Sequence, residues 1–547
     1  MKRITPDRSR AAAQRRGSVL ILVLVVVVML ALAAANFSDL MTTELEAVYS
    51  SGRDVETRAL VDSGAEYAAY LLEHRQEPGL ENLQHNPQLF QGVIVAPSEQ
   101  PLNQGRFTII APLEQDLESR QVRYGLIDES SKLNVNLVGS LAADETEARN
   151  ALMGLPGMTE AVADSILDWI DADDNVRVNG AELETYESRN PSYATKNGPI
   201  DSLEELLLVE GVTPELLFGE DANRNGLLDP NENDGEVSLP VDNSDGVLQL
   251  GWSSFLSVNS REFNLRADGR PKINLNSGLL TDVYDQLEEE FGEEIAKFVI
   301  AYRISGPLDQ PPEATGGTTQ SSTTAAATKK EQEAAMQGLM KGLGEALTSG
   351  TGKVTRGGID ISKGGQQQIK SIWDLIGSRS EIEIEGTKTT LQSAWSSEPG
   401  ALETLLPKLM DALSTSADPF LEGRININQA RREVLVGLPG MTPQIVDAII
   451  AGQSIDGSDD LTMRRATTGW LLSDGLVDIW AMRSLDPYLT ARGDVYRAQI
   501  IGYFDGGGPV SRVEVMIDAT KRPPRISQFR DLSNLGRGYP RPLFQPQ

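Results

Sequence analysis

Arg15-Arg16-Gly17-Ser18-Val19-Leu20-Ile21-Leu22-Val23-Leu24-Val25-Val26-Val27-Val28-Met29-Leu30-Ala31-Leu32-Ala33-Ala34-Ala35 decides how this chain is read. Lys2, Arg3, Arg8 and Arg10 precede it, so a basic leader runs into an apolar segment with one Gly between them. From Ser18 to Ala35 there is no charge, and as a helix the run is about 27 Å long, close to a hydrocarbon core. The flanking positive charges keep the leader on the cytoplasmic side and send the remainder across. An ordinary secretory signal is cut after its apolar region. Here the favourable cut is before it, between Gly17 and Ser18, and the apolar helix stays on the mature chain.

The helix is predicted to continue beyond the membrane. Phe37, Met41, Leu45, Val48, Val55 and Ala59 recur near the helical period, and no Pro follows Pro6 until Pro78. A continuous helix from Ser18 to about Glu73 would be roughly 84 Å long. Gly52 and Gly64 are its soft spots.

The 547 residues carry a formal charge of −30 and no cysteine, which excludes disulfides and thiolate metal sites. Such acidity disfavours nucleic acid, whose phosphates need clustered Lys and Arg. Strands are expected at 93–95, 106–111, 122–127 and 255–265, and a C-terminal hairpin at 495–504 and 510–517 about Asp505-Gly506-Gly507-Gly508-Pro509. Residues 128–250 read as helices and acidic loops, and 373–451 as helical. Residues 309–370 are low in complexity and poor in apolar surface, hence disordered.

Internal repeats are present. Leu133-Asn134-Val135-Asn136 recurs as Ile273-Asn274-Leu275-Asn276 and as Ile425-Asn426-Ile427-Asn428. Gly154-Leu155-Pro156-Gly157-Met158-Thr159 recurs as Gly437-Leu438-Pro439-Gly440-Met441-Thr442, with a degenerate copy at Val209 to Pro214. A Gly turn followed by Thr as N-cap is a helix-hairpin-helix pattern.

The most specific motif is Asp221-Ala222-Asn223-Arg224-Asn225-Gly226-Leu227-Leu228-Asp229-Pro230-Asn231-Glu232. It fits the twelve-residue calcium loop at every defined position. Asp221, Asn223 and Asn225 would give side-chain oxygens, Leu227 its carbonyl, Asp229 a direct or water-mediated ligand, and Glu232 both carboxylate oxygens. Asp171, Asp173 and Asp174, with Glu182 a short loop away, form a second cluster able to cage a hard cation. No Gly-x-Ser-x-Gly, Walker loop or HExxH motif is present, and His74 and His85 are the only histidines, so no enzyme is expected.

Together these features resemble the minor pseudopilin K of type II secretion systems, the general secretion pathway protein K family. The residues that carry the resemblance are the Gly17 junction, Leu22 as fifth mature residue, Asp128-Glu129 with Lys132-Leu133-Asn134-Val135-Asn136, the Asp168 to Asp174 run, Gly180-Ala181-Glu182 before Tyr186, Asn197-Gly198-Pro199, Ser202 to Leu206, and Ile425 to Asn428. The family's fold would be α+β: a long transmembrane helix entering a pseudopilin α/β domain with a large inserted helical domain that binds calcium. The implied partners are the minor pseudopilins I and J, a prepilin peptidase and the inner membrane, with a periplasmic head at the pseudopilus tip. Leu22 stands where most pilins carry Glu. A subunit without that carboxylate needs no deeper neighbour to neutralise it, which suits a tip position. The twelve-residue loop and the 309–370 segment are departures from the family pattern.

The expected organisation is a leader 1–17, a pilin helix 18–75, first strands 76–128, an inserted acidic helical domain 129–250, a pseudopilin strand and helical repeat 251–308, the disordered 309–370, a second helical region 371–493, a β-hairpin 494–520 and a Pro/Arg-rich extended tail 521–547. Two other readings compete: a membrane-anchored helix-hairpin-helix DNA receptor of the competence type, and a calcium-dependent adhesin without prepilin processing.

Overall fold

The computed structural model describes residues 9–80, 82–112, 122–141, 145–308, 354–362, 364–453 and 465–545. Residues 1–8 of the predicted leader and most of the predicted 309–370 insertion lie outside them.

The first helix, α1, is Ser9–Glu73. It begins ahead of the expected Ser18, because Ala11, Ala12, Ala13 and Gln14 are good helix formers and Gly17 alone is a poor one there. Its most apolar 18-residue stretch has a mean hydropathy of 3.0 and buries nothing within the chain. From Thr57 onward one face is covered. Val61, Ala65, Ala68 and Leu72 pack on Phe107, Ile109, Ile500, Val513, Val515 and Ile517.

Those partners belong to a seven-stranded antiparallel sheet. Its strands are β1 Val93–Ala96, β2 Gly105–Pro112, β3 Val122–Arg123, β4 Ile127–Asp128, β5 Val495–Phe504, β6 Ser511–Asp518 and β7 Arg525–Asp531. The order is β1-β2-β5-β6-β7, with β3 on β2 and β4 on β5. Two glycines set how closely α1 approaches. A Cβ on Gly64 would stand 2.6 Å from Ile500 Cγ2, and one on Gly502 would stand 2.5 Å from the Thr57 carbonyl oxygen. Gly64 is a contact point rather than a soft spot.

Several expected boundaries change. The strand predicted at 255–265 does not enter this sheet. Leu256–Ser257 pairs in parallel with Leu133–Asn134, and Arg261–Phe263 pairs with Phe420–Glu422. Everything described between β4 and β5 is therefore one insertion, not a domain at 129–250 followed by a return at 251–308. The region read as helical from 373 contains a hairpin, Arg379–Ile384 with Thr387–Gln392, turning through Glu385 and Gly386 at φ 50° and 82°. Residues 354–362 and 364–370 are ordered, with Ile359 paired to Ile384, so the disordered reading does not hold there. The Pro/Arg-rich tail supplies β7. Tyr539 and Phe544 then bury on the sheet face away from α1, beside Ile110, Ile501 and Tyr503.

The Asn repeats explain the insertion's architecture. Each opens a two-residue parallel ladder: Leu133–Asn134 with Leu256–Ser257, Ile273–Asn274 with Leu413–Ser414, and Ile425–Asn426 with Leu489–Thr490. In each, the first Asn side chain accepts the second Asn's N–H. The second Asn side chain then donates to two distant carbonyls: Ile200 and Val258, Ile369 and Thr415, or Arg465 and Ala491. Three copies of one polar staple hold one continuous apolar core. A buried Asn amide is stable only when its donors and acceptor are satisfied.

Candidate cation-binding loops

The Asp221–Glu232 loop lies on the sheet face away from α1. Leu227 fixes it there, packing with Ile110, Ile501, Tyr503, Tyr539 and Phe544. Arg224 and Gly226 take positive φ, 59° and 68°, and a Cβ on Gly226 would meet Pro112 Cβ at 2.5 Å. Only Gly tolerates that combination at low cost. Asp221 accepts the N–H groups of Asn225 at 3.0 Å and Gly226 at 2.8 Å. Glu232 folds back, accepting the N–H of Ala222 on one oxygen and of Asp229 on the other, both at 3.0 Å. Asn223 and Asn225 both donate to Asp229, at 2.6 and 2.9 Å. The seven-stranded sheet buttresses the loop: Gln499 of β5 donates to the Arg224 carbonyl, and Arg512 of β6 donates to that of Asn223.

The sequence motif is thus one spatial unit, and its electrostatics are strained. Burial pushes the Asp221 carboxyl up to about 6, against the N–H groups it accepts and the nearby Arg512 charge. Burial, with the charges of Asp221 and Asp229, pushes Glu232 up to about 7. Asn223 Oδ1 is buried with no hydrogen-bond partner. A hard cation wants such oxygens, so the donor set fits calcium chemically. Among the described residues no three Asp, Glu or His side chains yet stand as a finished cage. Asn223 and Asn225 would turn their oxygens, not their NH₂ groups, toward the ion.

The second cluster sits at the end of Glu160–Ile170, the helix capped by Thr159. The structure does not gather all four expected residues. Asp171 and Glu182 belong to it, and Asp174 adds to the field at Glu182. Asp173 turns to the Asn175 backbone and side chain, and Asp174 accepts from Asn197 at 2.7 Å. Asp168, absent from the predicted ligand set, is fully buried at the centre. Its place in Asp168-Trp169-Ile170-Asp171, three residues and so about one helical turn before Asp171, was the available signal. Burial, with the charges of Asp168, Asp171 and Asp174, pushes Glu182 up to about 7. Both Glu182 oxygens are buried without partners, which again suits a cation.

The helix-hairpin-helix glycines are engaged with each other. A Cβ on Gly154 would stand 2.5 Å from the Glu433 carbonyl oxygen and 3.2 Å from the Gly437 nitrogen. One on Gly437 would stand 2.4 Å from the Ala151 carbonyl oxygen. The two hairpins pack turn against turn, with Thr159 and Thr442 capping the helices that follow. Glu147 and Asn150 line the cleft beside them. That is an internal packing role, with an acid beside the turns.

At the other end of the molecule, Gly17 and Ser18 lie within α1, and Leu22 is exposed on it. A long apolar helix runs into an antiparallel sheet that carries one large insertion. Residues 131–218 match the family model described as type II secretion system protein K. The resemblance drawn from the sequence therefore holds: the match supports a minor pseudopilin K of type II secretion. No curated protein matches the chain. A chain in the crystal structure of the GspK-GspI-GspJ complex from the enterotoxigenic Escherichia coli type 2 secretion system aligns at 10% identity and a TM-score of 0.31. That alignment covers 88% of this chain and 98% of the other.

Proposed function

We propose that this protein is a non-enzymatic minor pseudopilin seated at the tip of the type II secretion pseudopilus. There it would nucleate or cap assembly, with the minor pseudopilins I and J, for export of folded proteins across the outer membrane. The observation that carries the reading is the protein K segment at 131–218 inside a head hung on an exposed apolar helix. The long insertion between β4 and β5 supports a tip position, because a subunit stacked above would have to clear it. Leu22 supports it too, since it brings no buried carboxylate that a neighbour must neutralise. A prepilin peptidase would cut between Gly17 and Ser18, leaving α1 in the inner membrane and the head in the periplasm. Calcium at the two acidic loops would stiffen the head. The mutual packing of Gly154 and Gly437, with the net charge of −30, supports a role without nucleic acid. Labelling the head and imaging purified pseudopili tests the reading. Label at one end is expected; label along the whole filament overturns the tip role.

A further inference from the structure

Arg177 occupies the heart of the second acidic cluster. Its Nη1 lies 2.6 Å from Asp168 Oδ1 and 2.5 Å from Asp171 Oδ2. Its backbone N–H also donates to Asp168, 3.2 Å from Oδ2. The loop is drawn tight over this point, since a Cβ on Gly180 would stand 1.9 Å from Asp168 Oδ2. One guanidinium thus ties two carboxylates together, and Glu182 is left over. Glu182 is 6% exposed and neither of its oxygens has a hydrogen-bond partner. Arg177 Nε is buried and unpartnered as well.

The arrangement satisfies two acids and strands a third. A planar fork donates in fixed directions and does not reach Glu182. A calcium-class ion takes six to eight oxygens from any direction and can take all three carboxylates. The ion and the guanidinium compete for the same oxygens of Asp168 and Asp171. Arg177 rides on a loop outside any helix or strand, and its side chain is 16% exposed, so its head group has a way out to water.

We propose that Arg177 is a tethered counter-cation that closes the Asp168–Asp171 pair in the metal-free protein and is displaced when a divalent cation binds Asp168, Asp171 and Glu182. The loop 171–182 is then a switch whose threshold Arg177 sets. This rests on the reading of the cluster as a cation site.

The test titrates calcium into the full chain in detergent micelles by calorimetry, with melting curves alongside. Binding lost in Glu182→Gln is assigned to this cluster, which separates it from the Asp221–Glu232 loop. Arg177→Gln is expected to bind calcium there at least tenfold more tightly than the parent. Its metal-free melting point falls below the parent's, and the calcium-saturated ones converge. Unchanged or weaker Glu182-dependent binding in Arg177→Gln overturns the switch and leaves the site standing. Absence of any Glu182-dependent binding in both overturns the site and the switch together. If Arg177→Gln does not melt cooperatively, Arg177→Lys decides: a gain of about threefold or more supports displacement, and an unchanged affinity overturns it.

Discussion

Arg75 and Asp494 form an ion pair where the anchor helix ends and the insertion returns to the sheet. Asp494 is fully buried, and its other oxygen accepts the Phe263 N–H at 2.6 Å. Its backbone joins the same junction, donating to the Arg261 carbonyl and accepting from Ala519, both at 2.8 Å. One carboxylate therefore touches the anchor, the insertion and the sheet.

Removing that charge should loosen all three at once. Asp494→Asn leaves Arg75 with the Tyr496 hydroxyl but without a charged partner, and Arg75 is itself mostly buried. The expected loss is about 2–4 kcal/mol, between the values for exposed and buried pairs. Denaturation of the full chain in detergent measures it. A loss below about 0.5 kcal/mol would mean that the junction does not depend on this contact.

The approach of α1 to the sheet gives a second expectation. Gly64→Leu places a branched side chain where even a Cβ meets Ile500. Overpacking of this kind costs about 1–3 kcal/mol, and the helix should lift from the sheet near Ala65. Limited proteolysis should then release the anchor faster than in the parent. An unchanged cleavage rate would contradict the packing.

Stability of the metal-free protein should fall as pH rises from 5 to 8. In the folded state burial holds Asp221 at about 6 and Glu182, Glu232 and Asp128 at about 7, against ordinary values of 3.8 for Asp and 4.5 for Glu. A carboxyl raised on folding keeps its proton longer than in the unfolded chain. Its contribution is complete below the unfolded value and is lost as pH climbs through the folded one. Each unit of raised pKa corresponds to about 1.4 kcal/mol. Melting points at pH 5, 6, 7 and 8 in chelator check the sign; a rise over that range would refute it.

Calcium should reverse the trend, because it binds the ionised forms. Binding to the folded state alone stabilises by about 2.7 kcal/mol at a hundredfold excess over Kd. Glu232→Gln with Asp221→Asn should remove most of that gain and leave what the Asp168–Glu182 cluster supplies. A melting point indifferent to calcium and chelator at pH 8 would dispose of both sites.

Processing gives the last expectation. Membrane-extracted protein from cells with an active prepilin peptidase should begin at Ser18, and Gly17→Trp should block the cut. N-terminal sequencing reads this directly. Recovery of the uncut N-terminus from the parent would favour the adhesin reading.

The parts of the molecule legible in sequence are those fixed by short-range periodicity or spacing. The 3.6-residue pattern gave α1 to its last residue, Glu73. Asp221 to Glu232 was visible because its groups are contiguous and Gly226 is where the turn needs positive φ. The Asn repeats were visible as strings, although their staple function needs Ile200, Ile369 and Arg465, far along the chain. What stayed hidden is long-range. Nothing local tells that Ile110 pairs with Gln499 or that 255–265 stays out of the sheet. The alternation Glu381-Ile382-Glu383-Ile384 before Glu385-Gly386 was a hairpin signal overridden by helical neighbours. Arg177 escaped because a basic residue in an acidic loop reads as solvated until its partners are seen.

The long insertion begins and ends at neighbouring points: Asp128 lies across from Tyr496 in the ladder. For the sheet, the whole head is therefore a single hairpin loop. Closing so long a loop as open chain costs more entropy than closing a turn, and the cost shrinks once the insertion has folded and brought its own ends together. The strand β5 therefore pairs with β2 at a lower entropy cost once the head has folded, so closure of the sheet on α1 is coupled to folding of the head.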